Sequence, residues 1–447
     1  MTISHSSQNI KIYKFLLISF YIWLLLEGIF RKWLLNAFST PLFFIKYVMI
    51  IGLSLIYILN KEKISTKIFT YWPLLCFYIL FGLFEILITT ANFSFFVGLI
   101  GFIVHFSNIM IPFLMVKLIT DRTKLLNVIK WVLWISIPLC ILGIIQYNLP
   151  FDNVLNRYVT EGGTEADIAL VGDSVRITSV FSFISPFGTF LNVALMLMLF
   201  FLSTLKLKNL IIINFAIYLL LIINALMTGS RSLVGIALLE TLALIVLFNN
   251  FSIKKIIFKF SRGIIISILA YILLTRLNIG SKALENFISR VEINNDIEGR
   301  IYDTTDPFKF LNISGAFGFG IGSTYQGASS LTKGGAVVIP VYYEEEPERI
   351  LLELGLVGTL ISYFVKFYIF YYTYKIYRFQ NDNFWKKLSA IPLIYMIVVL
   401  LGFFPIIFNW LEGITYWSFI GLAACIKHIS NNEQFSQSIS ATSSNSV

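Results

Sequence analysis

Six arginines, Arg176, Arg231, Arg276, Arg290, Arg300 and Arg349, recur in the second half of the chain, in or beside stretches that separate long apolar runs. A guanidinium grips a phosphate through a planar, two-pronged hydrogen-bond geometry and keeps its charge at any physiological pH. Their recurrence therefore suits a phosphate-bearing ligand; interfacial anchoring, or pairing with loop carboxylates, is the plainer reading beside it. An acidic run, Glu344-Glu345-Glu346-Pro347-Glu348-Arg349, leads into Ile350-Leu351-Leu352-Glu353. Pro347 and its acidic neighbours suit the first turn of a helix, and Arg349 and Glu353, four residues apart, would share one helix face. Carboxylates beside phosphate-binding arginines could orient or deprotonate a hydroxyl group. Upstream lies Gly315-Ala316-Phe317-Gly318-Phe319-Gly320-Ile321-Gly322. Its spaced glycines permit close backbone approach. No strand–helix unit of a soluble fold surrounds them, so this is not a dinucleotide fingerprint; a tight structural turn competes with a phosphate cradle.

The elements that must position these groups are membrane spans. Hydrophobic residues make up 57% of the chain and charged ones 13%, with a mean hydropathy of +0.81. Those values exclude an ordinary soluble enzyme, in which charges approach about a quarter of residues. The 43 phenylalanines suit lipid-facing and interhelical surfaces. Runs long enough to cross a bilayer fall near 14–32, 40–59, 69–90, 96–116, 125–148, 179–203, 209–227, 231–249, 259–276, 349–373, 388–408 and 412–428, about twelve in all. The first follows a short polar start with no small-residue cleavage site, so it reads as a retained span.

A net charge of +10 does not point to nucleic acid, because Lys and Arg fall largely in short loops. Lys61, Lys63 and Lys67; Arg122, Lys124 and Lys130; Lys206 and Lys208; Lys254, Lys255 and Lys259; and Lys375, Arg378, Lys386 and Lys387 mark loops that alternate with the rest. That alternation places them and both termini in the cytoplasm. The opposite side receives Arg31-Lys32, the 91–95 turn, an acidic loop at 149–178 and the long polar break from Leu277 to Glu348. A bilayer offers no water to unpaired backbone groups, so a break of that size lies outside the hydrocarbon. The expected fold is an all-α polytopic membrane protein. Helices one to nine lie in 1–276, a large external loop in 277–348 and helices ten to twelve in 349–428. A Ser-, Asn- and Gln-rich tail, 429–447, is expected to be disordered.

Cys76, Cys140 and Cys425 sit in apolar spans with no metal-ligand spacing and no disulfide framework, so neither metal nor cofactor is expected. His5, His105 and His428 are the only histidines, and none falls in the polar break. Inside the spans, Glu27, Lys46, Glu85, His105 and Glu240 are costly, at about 2.5–3.5 kcal/mol for a mid-bilayer charge, and should face the protein interior. Glu27 and Lys46 could pair with each other or with Arg31. Glu85, His105 and Glu240 keep open a secondary transporter or flippase, with a proton path near mid-membrane. Lys366 reads as a snorkelling residue.

Four features, in this order, resemble the bacterial O-antigen polymerase and O-antigen ligase superfamily of integral-membrane glycosyltransferases. They are Arg176-Ile177-Thr178-Ser179-Val180-Phe181-Ser182; Gly229-Ser230-Arg231-Ser232; Gly299-Arg300 followed by Gly318-Phe319-Gly320-Ile321-Gly322; and Glu353-Leu354-Gly355-Leu356-Val357-Gly358. Glu27-Gly28-Ile29-Phe30-Arg31-Lys32-Trp33 looks like a signature of one polymerase-like branch. The resemblance implies a C-type glycosyltransferase architecture with a periplasmic substructure between helices nine and ten. It also implies an undecaprenyl-diphosphate-linked oligosaccharide as donor and a reaction without metal. Read with it, the catalytic candidates are Arg231, Arg300, Arg349, Glu344, Glu348 and Glu353. The substrate-binding candidates are Arg176, Arg290, Gly318, Gly320, Gly322, Arg31 and Lys32. Ligases carry a histidine upstream of the glycine that matches Gly355; here an ungapped count reaches Glu344. That departure favours a polymerase of O-antigen or exopolysaccharide over a ligase acting on lipid A core or protein. The implied partners are the lipid-linked oligosaccharide and membrane lipid; a chain-length regulator stays open, and nucleic acid is not expected.

Overall fold

Backbone groups in a bilayer have only one another to bond, so a chain this apolar resolves into helices. The structure, a computed structural model, describes residues 2–59, 69–159, 165–172, 174–204, 208–248, 278–293, 306, 308–325, 328–332, 339–343 and 345–444. The first helices are α1 (Thr2–Ile29), α2 (Ser39–Leu59), α3 (Trp72–Asn92), α4 (Phe95–Phe106), α5 (Ile111–Leu118) and α6 (Arg122–Asn148). Then come α7 (Ile184–Thr204), α8 (Lys208–Met227), α9 (Arg231–Phe248), α10 (Asn278–Ile293) and the single turn α11 (Leu311–Ser314). The last are α12 (Glu346–Phe379), α13 (Asn383–Leu400) and α14 (Trp410–Ser444). Two small antiparallel hairpins, β1 (Tyr158–Val159) with β2 (Glu165–Ala166) and β3 (Leu170–Val171) with β4 (Ser174–Val175), occupy the segment before α7.

Among the described residues, nine helical runs are long and apolar enough to cross a membrane, as befits a multi-pass membrane protein. The expected spans at 209–227 and 412–428 fall on α8 and α14; the one at 259–276 lies outside the described residues. The chain divides into two compact units. Unit 1 comprises Met1–Tyr21, Lys46–Val128 and Asp306–Val447; unit 2 comprises Ile22–Ile45 and Ile129–Thr305. The polar break is thus shared between them.

Several expectations are corrected. The span at 96–116 is two helices joined by a 3-10 turn, Ser107–Met110. α13 stops at Leu400 instead of reaching 408, where Gly402 turns with φ +82° and Pro405 follows. α14 runs on to Ser444 through the polar tail. Adding residues to an existing helix costs far less than nucleating one, and the buried stretch of α14 supplies the nucleus.

The largest departure concerns the tenth span. It does not open at Arg349, because Gly355 interrupts α12 with φ +60° and ψ −168°. Lys366 Nζ lies 2.7 Å from Glu346 Oε1, whereas twenty residues of straight helix would separate the two by about 30 Å. The chain therefore doubles back at Gly355, and residues 346–354 form a short, almost wholly buried half-helix. Such a break strands backbone carbonyls on one side and N–H groups on the other. The glycine-rich segment in unit 1 satisfies both. Phe319 and Gly320 donate their N–H to the carbonyls of Leu352 (2.8 Å) and Glu353 (2.9 Å), while the carbonyls of Gly315 and Ala316 accept from Leu356 and Val357 (both 3.0 Å).

A Cβ on Gly355 would collide with the amides of Phe317 and Gly318. Gly355→Ala should therefore lower stability by more than the roughly 1–2 kcal/mol of its left-handed backbone alone. Gly52→Ala, in a helix where a Cβ meets nothing within 4 Å, should be neutral or mildly stabilising. Thermal melts of the detergent-purified protein measure both.

Candidate functional site

In unit 1 the half-helix carries three carboxylates, and each is paired with a basic side chain, Lys366, Lys309 or His105. Glu346 pairs with Lys366 at 2.7 Å, and its other oxygen accepts the Ile407 N–H at 2.8 Å. Glu348 pairs with Lys309 at 3.0 Å. Glu353 faces Nε2 of His105, on α4, at 2.9 Å. An ionised carboxylate only accepts hydrogen bonds, so Nε2 carries the proton. The second oxygen of Glu353 accepts both the N–H and the hydroxyl of Thr324, at 3.0 and 2.7 Å. His105 and Glu353 have side chains that are 1% exposed, so neither oxygen of Glu353 is open to a ligand.

Thr324 extends the chain of contacts outward. Arg349 donates through Nε to the Thr324 hydroxyl (3.2 Å) and through Nη2 to its carbonyl (2.7 Å). Its guanidinium lies 3.6 Å from the ring centroid of Phe408 and 5.9 Å from that of Tyr343. Burial pushes the Tyr343 phenol up, with Arg349 pulling the other way. Arg349 is half-buried, and the groups behind it are buried. It is the charged member of this cluster that is not wholly buried, and Thr324, itself bonded to Glu353, fixes its orientation.

The glycine segment packs on α3 and α4 as well. The Thr89 hydroxyl donates to the Ile321 carbonyl at 2.9 Å, and the Asn92 amide to that of Phe319 at 3.1 Å. Gly320 stands against Thr89, and Gly322 against Gly101. Gly318, Gly320 and Gly322 thus let other segments approach the glycine backbone closely.

Unit 2 joins the other motifs. Lys32 is wholly buried, and its ammonium donates to the Thr178 hydroxyl (2.8 Å) and to the carbonyls of Ser179 (3.0 Å) and Phe181 (3.1 Å). Arg31, equally buried, bonds Glu27 at 2.9 Å, the Ser39 carbonyl at 3.1 Å and the Ser39 hydroxyl at 3.0 Å. Ser179 has a positive φ of 50°, a conformation costly for a residue with a Cβ. Its backbone N–H is held by Gln146 Oε1 at 2.7 Å, and its hydroxyl bonds the Leu139 carbonyl at 2.8 Å. Arg31 and Lys32 were expected to bind substrate; the donors of Lys32 are instead taken up inside the protein, and both cations hold the 178–182 loop in place.

Arg176 Nε donates to the Thr228 carbonyl at 2.8 Å, which ties its loop to the turn that starts α9. Arg231, half-buried, is the first residue of that helix. The Tyr158 hydroxyl bonds the Arg176 carbonyl, and burial pushes the Tyr158 phenol up, against the pull of Arg176. Arg290 stands on α10 with its side chain outside the described residues, as are Arg300 and Glu344 altogether.

The structure therefore gathers Glu348, Arg349, Glu353 and the glycines in unit 1, and Arg31, Lys32, Arg176 and Arg231 in unit 2. Sequence reasoning did not find Thr324 or Phe408, it took Lys366 for a snorkelling residue although Lys366 is buried and paired with Glu346, and it left His105 without its partner. A signal was present for His105: Gly98 and Gly101 precede it at helical spacing on a buried face of α4, where small residues let another segment approach. Among the described residues no group of three or more His, Cys, Asp or Glu side chains could hold a metal ion. Compared with known families and with curated proteins, the chain matches no family model and no curated sequence.

Removing one partner of a buried ion pair leaves an uncompensated charge. His105→Ala should cost about 3–5 kcal/mol. The double variant His105→Gln with Glu353→Gln, which keeps an acceptor for Thr324 and removes the charge, should recover at least half of that loss. Thermal unfolding of the single and double variants tests this.

Proposed function

We propose that the chain is a polysaccharide polymerase of about twelve spans in a bacterial inner membrane. Both termini would be cytoplasmic and glycosyl transfer extracytoplasmic, from an undecaprenyl-diphosphate-linked donor. One observation carries the reading: segments that resemble motifs of the O-antigen polymerase and ligase superfamily, far apart in sequence, are bonded to each other inside each unit. In unit 1 the Gly318–Gly322 segment closes the helix break of the Glu353–Gly358 segment. In unit 2 the Arg176–Ser182 segment is held by Lys32 and bonded to the turn before Arg231. The absence of a histidine at Glu344 favours a polymerase over a ligase.

In the reaction, an acceptor hydroxyl attacks the anomeric carbon of the donor sugar. A new carbon–oxygen bond forms as the bond to the diphosphate breaks, and the lipid diphosphate leaves with the electron pair. That anion can take the hydroxyl proton, so no buried carboxylate is needed as base. Arg176 and Arg231 are assigned to the anionic diphosphate, whose growing charge a guanidinium stabilises. Arg349 is assigned to orienting substrate oxygens, on the footing of Thr324, Glu353 and His105. The earlier expectation of Glu353 or Glu348 as a direct base gives way to positioning, because both are buried and paired.

A transporter is the second reading, and Glu85 favours it: the residue is wholly buried in α3, with no hydrogen-bond partner for either carboxylate oxygen among the described residues. Chain extension by purified protein from lipid-linked repeats, with no ion gradient, would exclude it.

Arg349→Ala and Arg231→Ala should each reduce chain extension by about 10²–10³-fold, the usual effect of losing one transition-state donor, while membrane insertion stays at the wild-type level. The readout is the length distribution of surface polysaccharide, and an unchanged ladder in both variants would sink the assignment.

A further inference from the structure

Behind His105, within unit 1, lies a cavity of about 30 Å³. Its polar lining includes Tyr78 on α3, His105 on α4, Ser362 and Lys366 on α12, and Tyr416 on α14. Nδ1 of His105, although buried, lacks a hydrogen-bond partner among the described residues, and the Tyr78 hydroxyl faces the Ser362 side chain. Lys366 spends one ammonium proton on Glu346 at 2.7 Å, and an ammonium has three to give. The cavity is therefore polar on the sides where donors and acceptors are unmatched.

Charge and size decide what such a space can take. Its two basic side chains already face carboxylates, His105 with Glu353 at 2.9 Å and Lys366 with Glu346 at 2.7 Å. An added anion would find no uncompensated positive charge, and an added cation would meet the Lys366 ammonium. A neutral ligand that both donates and accepts fits. The volume admits roughly two water molecules, since one needs about 10–15 Å³ and two to four polar partners. An apolar cavity of this size would stay dry, but here a mostly apolar lining carries buried polar groups, His105 Nδ1 and the Lys366 ammonium among them.

We propose that the cavity is an internal water-binding site bridging His105 Nδ1, the Tyr78 hydroxyl and the Lys366 ammonium. It joins the two buried ion pairs of the half-helix into one hydrogen-bonded line. The line runs from Glu346 through Lys366, water and His105 to Glu353, and on through Thr324 to Arg349. Water can either donate to Nδ1 or accept from it by turning in place. His105 can thus exchange a proton at Nδ1 while Nε2 stays on Glu353. This holds whatever reaction the protein performs.

The chain has only three histidines, which makes the test direct. Full-length protein, ¹⁵N-labelled at histidine and reconstituted in lipid bilayers, is studied by water-edited magic-angle-spinning NMR, with His105→Gln identifying the His105 signals. The expected result is transfer of water magnetisation to Nδ1 of His105. Absence of transfer to Nδ1, with transfer to an exposed histidine present, would overturn the proposal. Val365 lines the same cavity and is 5% exposed. Val365→Leu should therefore displace water and abolish the Nδ1 transfer. Persistence in folded Val365→Leu protein would show that the water reaches His105 by another route and would overturn the assignment to this cavity. Should that variant not fold, the wild-type measurement still decides.

Discussion

A helix that stops inside a membrane protein exposes backbone groups that neither lipid nor side chain readily satisfies, and unit 1 is organised around one such stop. Gly355 ends one helix and begins another, and the stranded carbonyls and N–H groups on either side are taken by the backbone of residues 315–320. This accounts for the composition of that segment. Four hydrogen bonds between two backbones require approach without side chains in between, and a Cβ on Gly318 would meet the Glu353 carbonyl. The reversal also explains how charges come to be buried here. Because residues 346–354 fold back instead of leading straight into the span, Glu346 reaches Lys366, and Glu353 meets a histidine on another helix.

Unit 2 solves a different problem with the same means. A loop with an unfavourable backbone conformation at Ser179 is fixed by a buried ammonium and a buried amide, Lys32 and Gln146, whose hydrogen bonds go mainly to main-chain atoms. Buried ions seldom add net stability over apolar packing. What Lys32 adds is direction: three acceptors from one short loop converge on a single point. In both units the ionisable residues inside the hydrophobic mass hold irregular backbone against helices.

Much of this was legible in the sequence. Apolar runs placed most of the helices, and the cost of charges in lipid predicted that Glu27, Lys46, Glu85, His105 and Glu240 face inward, as their burial bears out. What could not be read depends on tertiary partners. Hydropathy averages over a window, so Glu353-Leu354-Gly355-Leu356-Val357-Gly358 looks continuous although the chain reverses within it. Glycine is common in membrane helices, and its presence alone does not announce a break. Arg31 and Lys32 looked like charges at the outer end of a span because a linear reading cannot see the loop at 178–182 that encloses them. The tail was misjudged because composition describes a segment in isolation, whereas this one extends an anchored helix.

The contact between His105 and Glu353 joins residues 248 positions apart, and the segments of unit 1 are interrupted by nearly all of unit 2. At a synthesis rate of about 5–20 residues per second, His105 leaves the ribosome roughly 10–50 s before its carboxylate exists. During that interval α3 and α4 hold Glu85, Thr89 and His105, polar groups whose final surroundings include a loop not yet made. Completion of unit 1 is therefore a late event in biogenesis. The early helices depend on the insertion machinery, on water or on one another to shelter those groups until residues 315–355 arrive.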